Sequence, residues 1–195
     1  MDISGFLSTL NIVDVLIFLG LLGGFVLGYA QGAIRRLVGI AAMTFSFFLA
    51  AQLSVPVGSF LAQHWTQFPA QYASMLGFLM LFVAGVVAFA LVVQGSYQKV
   101  EIFAKYPVID EVVGGFLGVV QAFLLLMFVT IILDQFFLGP SFAPDAHEVP
   151  LLATLWTSID GSGIGRILHQ TAIPNFLSLV QFLIPQGILA TYGIG

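Results

Sequence analysis

The sequence predicts an all-α integral membrane protein, a four-helix bundle followed by an amphipathic tail of broken helices. Three observations carry that prediction. Of 195 residues, 59% are hydrophobic and 7% charged, with a mean hydropathy of +1.08, whereas a soluble domain carries roughly 25% charged residues. Four apolar stretches approach the ~20 residues that cross a hydrocarbon core as a helix. Finally, small residues recur every four positions on the first and fourth stretches, leaving bare helix faces where another helix can approach closely.

The first span is expected over about 11–29. Asn11 is a natural N-cap, and Asp14 falls in the first turn, where a carboxylate meets free N–H groups and the helix dipole. Asp14 is also the one acid inside a predicted span, so ion or partner binding is the competing reading. Residues 1–10 hold an acid and no base, which argues for a retained helix rather than a cleaved signal peptide. Gly20, Gly24, Gly28 and Gly32 form the first small-residue stripe, and the basic pair Arg35–Arg36 marks the membrane boundary.

The second span covers about 37–61, with a kink expected near Ser54 because Pro56 removes a ladder hydrogen bond. The third covers about 72–93 and is almost purely apolar. A surface connector with Lys99 and Lys105 follows. The fourth covers about 112–133 and opens with Asp110 and Glu111, then Gly114, Gly118 and Ala122 as a second stripe. The simplest packing sets the two stripes face to face, with homo-oligomer contact equally allowed. Gln121 lies off the stripe, and a glutamine in lipid most often bonds a neighbouring helix.

Residues 1–136 therefore form a membrane domain and 137–195 a tail on the extracytoplasmic surface. The tail is expected as a Pro-rich loop, a short helix near 151–159 broken by Gly161, Gly163 and Gly165, and a brief resumption stopped by Pro174. A last helix capped by Asn175 would present Phe176, Leu177, Val180, Leu183 and Ile184 on one face, with Ser178 and Gln181 opposite. It is too short to span and should lie on the membrane surface or against the bundle. Arg35, Arg36, Lys99 and Lys105 set the topology: both connectors belong in the cytoplasm, and the N- and C-termini outside it.

A formal charge of −4 with five Lys and Arg excludes an electrostatic footprint for nucleic acid. Without cysteine there is no disulfide, thiol nucleophile or Cys-ligated metal. No HExxH, GxSxG or phosphate-loop pattern appears. Asp145, His147 and Glu148 read as a solvated acidic loop rather than a metal site. No catalytic residue, cofactor or metal is expected. The expected partners are the lipid bilayer and a protein or second copy met through small-residue faces. An oligomer with Thr44, Ser46, Gln52 and Gln121 lining a pore is the alternative, and a small subunit of a larger complex the third reading.

The order Asn11-x-x-Asp14, then Gly28-Tyr29-x-x-Gly32-x-x-Arg35-x-Leu37, then Asp110-x-x-x-Gly114-x-x-x-Gly118 resembles the colicin V production (CvpA) family. The four spans and amphipathic tail agree with it. This sequence departs from the family at Gln31, where a basic residue is common, and at Gln121 and Ala122, where the family often has Arg or Lys followed by glycine. The resemblance implies a small bacterial inner-membrane protein of four helices, linked to peptide-toxin export and envelope integrity. On residues and resemblance together, a non-enzymatic scaffold or accessory protein is the expectation.

Overall fold

The computed structural model describes residues 12–65, 70–96, 107–138 and 150–194. Four long helices dominate it: α1 (Ile12–Gln31), α2 (Ala33–His64), α3 (Ala70–Ser96) and α4 (Pro107–Phe137). All four are long and apolar enough to cross a membrane. α2, α3 and α4 run past both ends of their predicted spans, and α1 past its C-terminal end. The largest extension is in α4, and α2 continues through Pro56 as one helix of 32 residues. Pro56 costs α2 only the one ladder bond its missing N–H would donate.

The turn between α1 and α2 is a single residue. Gly32 has φ 79°, in the left-handed region that only glycine enters freely. Gly32 still meets the second stripe, since a Cβ on Gly114 would stand 2.7 Å from the Gly32 carbonyl carbon, but the short connector expected to carry the arginines is absent. Arg35 and Arg36 instead lie in the first turn of α2.

Helices in lipid gain little from burying apolar side chains, because lipid tails are equally apolar; close backbone approach and interhelical hydrogen bonds must hold them. The packing of α1 on α4 follows that rule. A Cβ built on Gly24 would stand 2.7 Å from the Gly118 carbonyl oxygen, and one on Gly114 2.6 Å from the Gly28 carbonyl oxygen. A Cβ on Gly28 or Gly118 would overlap the opposite backbone outright. The two backbones therefore touch along antiparallel glycine ridges. Gly20 is an exception to the expected stripe: a Cβ there meets nothing within 4 Å. It lies beside an open apolar groove with Leu21, Leu125 and Val129.

The other half of the molecule packs by side chains. Phe47 of α2 stacks on Phe128 of α4, with centroids 4.2 Å apart and planes at 10°, and Phe82 of α3 meets both edge-on. Such pairs contribute about 0.5–1.5 kcal/mol each beyond area burial.

The C-terminal segment covers this aromatic cluster. It comprises α5 (Pro150–Asp160), α6 (Gly163–Ile167), a π-helical turn at Leu168–Ala172, α7 (Ile173–Val180), a 3-10 turn at Gln181–Leu183, and α8 (Gln186–Thr191). Leu168, Ile173 and Leu177 are fully buried, and Phe176 reaches Phe128 at 5.5 Å. Of the expected alternatives, the segment lies against the bundle. Details differ from expectation. Pro174 stands at the start of α7 rather than ending a helix, because the π-helical turn before it absorbs the ring. Asn175 lies inside α7, and its carbonyl accepts the Ser178 hydroxyl. Leu183, expected on the apolar face, is exposed, as are Leu179 and Phe182.

Candidate functional site

Asp134 sits near the C-terminal end of α4 and is completely buried. A lone carboxylate there would be costly, so donors must surround it. Three side chains of the C-terminal segment do. Trp156 Nε1 of α5 donates to Oδ1 at 2.8 Å, the Tyr192 hydroxyl donates to Oδ2 at 2.5 Å, and His169 Nε2 donates to Oδ2 at 2.8 Å. His169 comes from the π-helical turn, and its Nδ1 faces Asp160 Oδ1 at 3.4 Å. One carboxylate thus ties together α5, the π-helical turn and the end of α8.

Electrostatics follow the geometry. The hydrogen bond to Asp134 raises the His169 pKa above its ordinary value; partial burial opposes it, while the charges of Asp134 and Asp160 and a bond to the Gly165 backbone assist. Burial pushes the Tyr192 hydroxyl pKa far up, and the adjacent Asp134 charge adds to that. Tyr192 therefore stays protonated and donates at every physiological pH.

Asp14 makes a second tie. Its Oδ2 accepts the Gly163 N–H at 3.1 Å and its Oδ1 the Ile164 N–H at 3.0 Å. Asp14 lies in the first turn of α1, as expected, and its carboxylate also holds the start of α6. Ser162 completes the start of α6 by accepting the Gly165 N–H at 2.8 Å. Gln52 of α2 adds a third tie, donating from Nε2 to the Leu183 carbonyl at 2.8 Å.

The opposite end of the bundle holds the other predicted polar residues. Asp110 Oδ2 accepts the Ala33 N–H at 3.4 Å and fills the space a Cβ on Gly32 would need. Gln121 Oε1 accepts from Arg36 Nη1 at 2.8 Å. Gly39 leaves room for that amide, since a Cβ there would stand 3.0 Å from Gln121 Nε2. Arg36 therefore does not simply mark the membrane edge; its side chain runs inward along the bundle.

Among the predicted site residues, the structure brings together Gly24, Gly28, Gly32, Gly114, Gly118 and Ala122, and pairs Arg36 with Gln121. Gly20 stays apart. Asn11, Lys99, Lys105, Asp145, His147 and Glu148 lie outside the described residues. Sequence reasoning missed the cluster of Asp134, Trp156, His169 and Tyr192. The available signal was Asp134 itself, an acid directly abutting an apolar span, which requires donors from somewhere. Among the described residues no group of His, Asp and Glu is arranged to hold a metal ion.

Four apolar helices, antiparallel glycine contact and a C-terminal layer pinned by the buried Asp134 define a helical membrane protein with an integrated cap. Within that class its family is shown. The family model described as colicin V production protein matches residues 13–160, and the chain belongs to that family. Comparison with curated proteins gave no match, and neither did comparison with solved structures.

Proposed function

We propose that this protein is a non-enzymatic scaffold or accessory protein of the bacterial inner membrane, serving envelope maintenance or peptide export. In this reading the α1–α2 turn faces the cytoplasm, where Arg35 and Arg36 lie, and the C-terminal layer is outside. The observation that carries it is the set of bonds from Asp134 to Trp156, His169 and Tyr192. They fix the layer to the bundle as one rigid surface, suited to docking rather than to tethering. The exposed Leu179 and Phe182 on that layer supply apolar anchors.

A pore is less well supported. Ser46 donates to the Ala42 carbonyl, Gln52 to Leu183, and Gln121 pairs with Arg36, so these polar groups are satisfied within one chain. The test is crosslinking and co-purification from native membranes, with wild type and Phe182→Ser compared. A stoichiometric partner retained by wild type and lost by Phe182→Ser is expected. A pure homo-oligomer that conducts ions after reconstitution would overturn the scaffold reading.

A further inference from the structure

Beyond the docking role, the α1–α2 end contains a cavity of about 190 Å3. Gln31, Arg35, Arg36 and Gln121 provide its polar lining, and Met43 and Phe89 part of its apolar wall. Among the described residues no carboxylate lies within ion-pair distance of either arginine. Arg36 uses Nη1 on Gln121, while its Nε is buried and has no partner. A guanidinium offers five donors and no acceptor, so most of its capacity is unspent. Two cations held beside apolar walls without an anion are costly, and a ligand that supplies the anion relieves that cost.

Depth indicates what kind of anion. Gly39, against which Gln121 rests, lies six residues beyond Ala33 at the start of α2, about 9 Å along the helix axis. The cavity is therefore set inward from the helix ends, between spanning helices. Val86, Phe89 and Ala90 of α3 form a wall along which an acyl chain can lie. We propose that this cavity binds the phosphate headgroup of an anionic membrane lipid. Arg35 and Arg36 contact the phosphate, Gln31 and Gln121 donate to its remaining oxygens or ester groups, and the acyl chain runs along α3. Basic pockets between spanning helices are suited to this kind of recognition.

The full chain is reconstituted in nanodiscs of equal phosphatidylglycerol and phosphatidylcholine, and lipids retained on release are counted by native mass spectrometry. Phosphatidylglycerol is expected to be retained over phosphatidylcholine by about tenfold, a difference of about 1.4 kcal/mol. The double substitution Arg35→Gln/Arg36→Gln should bring the ratio near parity. Ala90→Phe fills the cavity and leaves both arginines in place, so it should do the same; it also carries the test alone should the double variant fail to fold. Millimolar inorganic phosphate should leave the ratio unchanged. Parity in wild type, a preference that survives Ala90→Phe, or full displacement by free phosphate would each overturn the proposal.

Discussion

His169 Nε2 lies 2.8 Å from Asp134 Oδ2, a contact between residues 35 positions apart that closes the C-terminal layer over the end of α4. Because Asp134 is completely buried, its other two donors are equally committed. Removing the carboxylate should release the layer as a unit. Asp134→Ala strands three donors, and each lost charge-assisted bond is worth about 1.5–3 kcal/mol. Arg166 is the one Lys or Arg of this segment and is exposed. Faster tryptic cleavage after Arg166 in detergent, with the four long helices retained by circular dichroism, is the expected result. Unchanged cleavage would show that the aromatic cluster alone holds the layer.

The same pair makes docking pH-dependent. The folded-state pKa of His169 is raised, chiefly by its bond to Asp134. Its contribution is therefore fully present below the ordinary histidine pKa of about 6.5, and is lost as pH rises through the raised folded value. Amide exchange across residues 163–180 should accelerate over that window in wild type. His169→Gln should flatten the profile. A profile that persists in the glutamine variant would assign the titration to another group.

Asp14 accepts the N–H groups of Gly163 and Ile164, so Asp14→Ala removes a helix start supplied from α1. Loss of such a cap costs about 1 kcal/mol. The expected effect on Arg166 cleavage is in the same direction as that of Asp134→Ala, and smaller. Asp14→Asn should retain part of the interaction, since its carbonyl oxygen still accepts one bond.

Glycine substitutions should divide by contact. Gly24→Leu and Gly118→Leu force side chains into the facing backbone and should lower thermal stability in micelles by at least the 1–3 kcal/mol typical of overpacking, about the upper end or beyond. Gly20→Leu should be tolerated, because nothing lies within 4 Å of its Cβ position. Equal behaviour of all three would contradict the observed α1–α4 contact.

Gly32→Ala should be destabilising for two separate reasons. The positive-φ, extended conformation (φ 79°, ψ 169°) costs a non-glycine residue about 1–3 kcal/mol, and the new Cβ would strike the Asp110 carboxylate. Pairing it with Asp110→Ala relieves the second cost but gives up the Asp110 bond to the Ala33 N–H. The double variant should therefore recover only part of the lost stability, measured by thermal unfolding in micelles.

Much of the fold was legible in the residues. Long apolar runs can satisfy their backbone in lipid only as helices, so composition and run length fixed the all-α membrane class and four long helices. Glycine spacing exposed two bare faces, because a helical repeat stacks every fourth residue on one side. Helix ends were less legible: α4 begins at Pro107 and ends at Phe137, beyond both expected bounds, and Gly32 turns the chain within one residue.

What tertiary structure decided was which groups meet. No local pattern in the sequence joins Asp134 to Trp156, His169 and Tyr192, or carries Asp14 across to Gly163. Nor does any local pattern bend Arg36 inward to Gln121. Periodicity reports only what one helix does with its own neighbours. Pairing a buried charge with distant donors depends on which helices lie side by side, and that is set by the packing of the whole chain.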